Sequence, residues 1–144
     1  EPDEYLTSIL GDRARRLNPL GSMARRGILL AGGSDAPCTE SDALWGMQCA
    51  RTHPVPGESL TAQEALNLYT INAAKLTFDE ADRGSLEGGK RADFVILDRN
   101  ILACANAEVS KTTVEGLYIM GKPYVPGQGR GSLLMRGITS RRRL

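Results

Sequence analysis

Arg26-Gly27-Ile28-Leu29-Leu30-Ala31-Gly32-Gly33-Ser34-Asp35-Ala36-Pro37 is the stretch on which the fold turns. Residues 28–33 form a continuous apolar run without polar alternation, which is how a strand covered on both faces of a parallel sheet reads. Gly27 before it suits the left-handed residue that closes a helix. Ala36-Pro37 after it forces the chain out of the strand. Asp35 therefore falls at the C-terminal end of a buried strand, the end at which ligand-binding and catalytic residues gather in α/β barrels and open α/β sheets.

Upstream, Tyr5, Leu6, Ile9, Leu10, Ala14 and Leu17 recur at helical spacing, so one amphipathic helix is expected over 3–17, weakened at Gly11 and stopped by Pro19. A short helical turn over 22–26 leads into Gly27. Helix, short loop and apolar strand together make one β/α unit. Downstream, residues 38–58, with Pro54, Pro56 and Gly57, read mainly as loop with a helical turn over 44–50. Leu60-Thr61-Ala62-Gln63-Glu64 is a capping box: Thr61 can cap the backbone while Glu64 reaches back. Ala62, Ala65, Leu66, Tyr69, Ala73 and Leu76 then share one face, predicting a packing helix over 61–76 that Leu60 staples against Ala65.

Beyond Arg83 the pattern changes to short segments punctuated by glycine. Strands are expected at 84–86, 92–98 and 112–120, with Gly121-Lys122 turning into a last edge strand that contains Pro123. The chain thus divides into an α/β piece over 1–83, a small β module over 84–125, and a glycine- and arginine-rich tail over 126–144 that is expected to be disordered and ends in Arg141, Arg142 and Arg143.

The totals bound the function. A complete eight-stranded α/β barrel takes about 250 residues, so 144 residues exclude a whole enzyme of that architecture. The 18 basic and 17 acidic residues nearly cancel, which recommends neither nucleic acid nor a charged membrane as partner. No apolar run approaches the roughly 20 residues that span a bilayer. Three cysteines, Cys38, Cys49 and Cys104, are odd in number and irregular in spacing, which argues against a disulfide framework and for a reducing, cytoplasmic setting.

Among residues that can carry chemistry, Asp35 stands first, because a carboxylate at a strand mouth can bind a metal ion or take a proton from water. The competing structural role is an Asp capping the turn near Pro37. His53, the only histidine, and Cys49 stand four residues apart, but Pro54 and Pro56 interrupt the segment and no second pair exists to complete a zinc site. Gly84-Ser85-Leu86-Glu87-Gly88-Gly89-Lys90 lacks the spacing and the strand-to-helix context of a phosphate loop, and reads as a turn.

Three linked motifs carry a resemblance: Gly33-Ser34-Asp35-Ala36-Pro37; Leu60-Thr61-x-x-Glu64-Ala65-Leu66 running into Tyr69-Thr70-x-Asn72-Ala73-Ala74; and Gly84-Ser85-Leu86-Glu87-x-Gly89-Lys90-x-Ala92-Asp93-Phe94-Val95-x-Leu97-Asp98. In this order and spacing, over roughly 12–125, the chain resembles the C-terminal end of the amidohydrolase superfamily, closest to amidohydrolase family 3. The resemblance implies a fold of α/β plus β class: the C-terminal part of a distorted (β/α)8 metal-dependent hydrolase barrel, followed by strands of a small composite β-sandwich.

The resemblance further implies hydrolysis of non-peptide C–N bonds, amide or cyclic amide, in a small-molecule substrate by water activated on a divalent metal, zinc by expectation. Asp35 matches the aspartate after the last barrel strand, which serves such enzymes as metal ligand or proton acceptor. The His-x-His pair, the bridging Lys, Cys or Glu, and the two later histidines of that family are missing from this sequence. The isolated chain is therefore expected to bind catalytic metal weakly or not at all, to be inactive, and to pair with the remainder of a barrel or with itself. The rival reading is a non-catalytic binding or regulatory module derived from the same scaffold.

Overall fold

A computed structural model describes residues 3–124. In chain order it has α1 (Asp3–Leu10), a 3-10 helix (Gly11–Arg16), α2 (Leu20–Arg25), α3 (Ala43–Arg51), α4 (Ala62–Leu68), α5 (Ile71–Leu76), β1 (Phe94–Leu97), a second 3-10 helix (Asn106–Lys111), β2 (Val114–Ile119) and β3 (Lys122–Pro123). The expected tail at 126–144 lies outside the described residues. Among the described residues no helix is long and apolar enough to cross a membrane.

The first helix departs from the expected single run: Gly11, at φ +53°, ends α1, and the chain tightens into 3-10 geometry. α2 closes as the sequence indicates. Gly27 at φ +71° donates to Ala24 O at 2.9 Å, and Ile28 donates to Met23 O at 3.1 Å, the two bonds of a Schellman motif. α3 is a full helix where only a turn was expected, because the Asp42 carboxylate caps it, accepting from the Leu44 and Trp45 amides at 2.9 and 3.1 Å.

The capping box forms: Thr61 Oγ1 accepts from the Glu64 amide at 3.2 Å, and Glu64 Oε2 accepts from the Thr61 amide at 2.8 Å. Leu60 and Ala65, the expected staple pair, are both buried in the core. The helix expected over 61–76 breaks, however, into α4 and α5 at Tyr69-Thr70. Thr70 sits at φ −127°, ψ −105°, and its hydroxyl donates to Leu66 O at 2.9 Å, replacing a helical backbone bond at that carbonyl.

Removing the box has two measurable consequences. Thr61→Ala should cost about 1 kcal/mol of stability by chemical denaturation, the usual worth of such a cap. The bonds from the Thr61 hydroxyl, then from its amide, hold the Glu64 carboxyl below the ordinary glutamate range. A depressed folded-state pKa stabilises above the ordinary glutamate value, and that contribution disappears as pH falls through the lowered one. The thermal midpoint should therefore drop between pH 7 and 3, and Glu64→Gln should flatten that drop; an unchanged slope would contradict the assignment.

The core gathers Met47 and Ala50 of α3, Leu60, Ala65 and Leu68 around α4, and Ile101 and Val109 from the segment between β1 and β2. Gln48 Oε1 of α3 accepts from the Ser110 amide at 2.9 Å, tying the second 3-10 helix to the same core. β1, β2 and β3 form one antiparallel sheet in that order, with a register irregularity between Ile96 and Leu97. Phe94 and Tyr118 stack across β1 and β2 with ring centroids 4.6 Å apart. The β2–β3 turn places Met120 and Gly121 at positive φ, as a two-residue type I′ hairpin requires, and Asp93 Oδ1 accepts from the Met120 amide at 2.7 Å.

Two expected strands do not form. Residues 84–86 lie in a turn, with Gly84 at φ +93° and Leu86 exposed. Residues 28–33, expected as a buried strand, form no ladder among the described residues, and Ile28 and Leu29 are 47% and 44% exposed. A strand exists only with a neighbour to pair its backbone groups, and in the described sheet β1 pairs only with β2 and β3 only with β2. Large apolar side chains on the sheet, Val95, Ile96, Val114 and Ile119, are likewise exposed.

Candidate active site

Asp35 opens a turn over 35–38 at φ +52°, a left-handed conformation that Asp and Asn tolerate better than other side chains. The turn is closed by a backbone bond, Asp35 O accepting from the Cys38 amide at 2.9 Å, and by a side-chain one, Ser34 O accepting from the Thr39 hydroxyl. The Ala36-Pro37 peptide is cis. Asp35 is exposed, and among the described residues its carboxylate makes no hydrogen bond or ion pair. The side chain thus does not cap the turn that its own carbonyl closes.

The segment leading to Asp35 is held from α4 and α5. Leu68 O accepts from the Gly32 amide at 3.0 Å, and Asn72 Nδ2 donates to Leu30 O at 2.9 Å. Tyr69, between the two helices, lays its ring on Gly32: a Cβ there would stand 2.5 Å from Tyr69 Cζ. Its hydroxyl reaches Gly46 of α3, where a Cβ would overlap it and stand 2.8 Å from Cζ. Burial first, then the neighbouring Cys49 and Asp42, pushes the Tyr69 phenol above its ordinary value, so it stays neutral at physiological pH.

The other candidates are not brought to this place as a site. His53 Nδ1 accepts from the Val55 amide at 3.1 Å, and Cys49 is exposed with its thiol raised chiefly by desolvation. In the turn after Gly84, Lys90 Nζ donates to Ser85 Oγ at 2.6 Å, and Ser85 Oγ donates to Glu87 Oε1 at 2.6 Å, so these polar groups satisfy one another. The apolar spacing places Tyr69 on a packing face and gives Asn72 no role. Both stand in the second of the three motifs, and the signal that marks them is their contact with the strand-like segment, which is non-local.

The profile of the amidohydrolase family matches residues 3–125. The chain belongs to amidohydrolase family 3. The N-substituted formamide deformylase of Arthrobacter pascens is 35% identical over 113 residues, covering 74% of this chain and 21% of that protein. The putative amidohydrolase YtcJ of Bacillus subtilis is 33% identical over 126 residues, 77% of this chain and 24% of that one. An amidohydrolase crystal structure from Thermotoga maritima superposes with a TM-score of 0.59 at 26% identity, over 75% of this chain and 26% of that one. The chain therefore spans about a fifth to a quarter of the relatives it matches.

Amidohydrolases generally use a divalent metal. Among the described residues no three of His, Cys, Asp and Glu stand together so as to hold one. A catalytic zinc site takes about three protein ligands, and the described residues gather no such set around the exposed carboxylate of Asp35. The donor set of the described residues does not fit a metal by itself.

Proposed function

We propose that this chain is the C-terminal portion of a metal-dependent amidohydrolase that hydrolyses a non-peptide C–N bond, amide or cyclic amide, in a small molecule. Asp35 is the carboxylate it contributes, as metal ligand or proton acceptor, and the remaining ligands lie in the rest of a longer protein. Residues 1–83 are the last part of its distorted barrel, with 28–33 as the closing strand, and 84–125 are part of its composite β-sandwich. By itself the chain is inactive, and zinc is the proposed metal.

What supports this is one conjunction: an apolar segment without a strand partner among the described residues, Ile28 and Leu29 exposed, runs directly into Asp35, whose carboxylate is unbonded among those residues, within a chain that matches the family over 3–125. Pairing residues 28–33 with a neighbouring strand would bury those side chains and place Asp35 at the strand's C-terminal end, where barrel enzymes hold their reactive groups. The substrate class follows the relative named for N-substituted formamides.

The test is hydrolysis of a panel of N-substituted formamides and cyclic amides by the longer gene product and by this chain alone. Turnover by the longer product and none by the chain is expected. Turnover by the chain alone would contradict the incomplete-site reading, and the absence of turnover by any longer product would remove the reading and favour the non-catalytic module.

A further inference from the structure

The loop that carries Asp35 leaves the described fold at Gly32 and rejoins it at the start of α3. Tyr69 touches both of those points, Gly32 with its ring and Gly46, in the first turn of α3, with its hydroxyl. A tyrosine ring is rigid and cannot yield to one glycine without leaving the other. It is itself fixed on either side, because the neighbouring Leu68 carbonyl and the Asn72 amide bond the backbone at Gly32 and Leu30. Both glycines are required by close approach: neither Gly32 nor Gly46 is at positive φ, yet a Cβ at either would collide with the same side chain.

We propose that Tyr69 is a positioning residue for Asp35: wedged between Gly32 and Gly46, it sets the distance between the two ends of the loop on which the carboxylate is carried. This rests on Asp35 acting as proposed above. The role is geometric, since a reacting carboxylate displaced by about 1 Å can lose about 100-fold in rate. The carboxylate has no partner of its own among the described residues, so the loop's anchorage is what places it.

The test uses the longer enzyme with an N-substituted formamide as substrate. Gly46→Ala should lower kcat about 100-fold with KM nearly unchanged, and Tyr69→Phe, which keeps the ring on Gly32, about tenfold. The double variant should regain part of the Gly46→Ala loss, because the overlapping hydroxyl is gone. In parallel, the Cys38 amide, which bonds Asp35 O, should exchange its hydrogen faster in Gly46→Ala while the Ala65 amide in α4 keeps its protection. If Gly46→Ala fails to fold, Tyr69→Phe decides by the same kcat and exchange readouts. Wild-type kcat in both single variants, with Asp35→Asn inactive, overturns the wedge alone. Wild-type kcat in Asp35→Asn overturns the role of Asp35 and the wedge with it.

Discussion

Arg51→Met is expected to lower the stability of this chain by about 2–3 kcal/mol. Arg51 ends α3 at only 6% exposure, and its guanidinium donates to Asn106 Oδ1 at 3.0 Å, Ile101 O at 2.7 Å and Cys104 O at 2.9 Å. Asn106 Nδ2 returns a bond to Arg51 O at 3.2 Å. None of the three acceptors is charged, so the buried cation is held entirely by the fork of its donors. Methionine replaces much of the volume but leaves the buried Ile101 carbonyl without its donor, at about 1–3 kcal/mol, and removes the bonds to the Asn106 and Cys104 acceptors, which water can reach. Arg51→Lys should recover little, because one ammonium cannot match three acceptors laid out for a planar fork. Urea unfolding checks this: the midpoint should fall with the slope unchanged. A change within about 0.5 kcal/mol, as for an ordinary surface residue, would show that the segment between β1 and β2 does not depend on this contact.

Asp35→Asn should separate chemistry from folding. In the longer enzyme the loss of a positioned carboxylate is expected to reduce turnover by about 10²- to 10⁴-fold. In this chain the same change should leave the urea midpoint alone, because the side chain is exposed and unbonded among the described residues and asparagine accepts the φ of +52° as readily as aspartate. Loss of stability in step with activity would mean that Asp35 holds the turn rather than serving the reaction.

How much of this was legible in the sequence depended on how local each signal is. The Thr61–Glu64 box and the Gly27 closure of α2 are written in neighbouring residues and form where expected, while the hairpin turn expected at Gly121-Lys122 forms one residue earlier, at Met120-Gly121. The break at Tyr69-Thr70 was not legible, since the apolar spacing runs through it and only the Thr70 hydroxyl marks it. α3 was read as little more than a turn because Pro54 and Pro56 drew attention to a loop, whereas the Asp42 cap and the packing of Met47 and Ala50 decide it. Arg51 and Tyr69 escape a local reading for one reason: their partners lie 23 to 55 positions away, in the bonds to Ile101 and Asn106 and the close approaches at Gly32 and Gly46. Residues 28–33 show the converse. Their composition states burial on two faces, and the described fold supplies neither a paired neighbour nor full cover.

The most direct measurement is the metal content of this chain purified from zinc-supplemented medium, with Asp35→Asn as its control. A chain that supplies one carboxylate to a site completed elsewhere should carry almost no zinc in either form. One zinc ion per chain, lost in Asp35→Asn, would contradict the account, because the chain would then complete the site by itself or by assembling with its own copies.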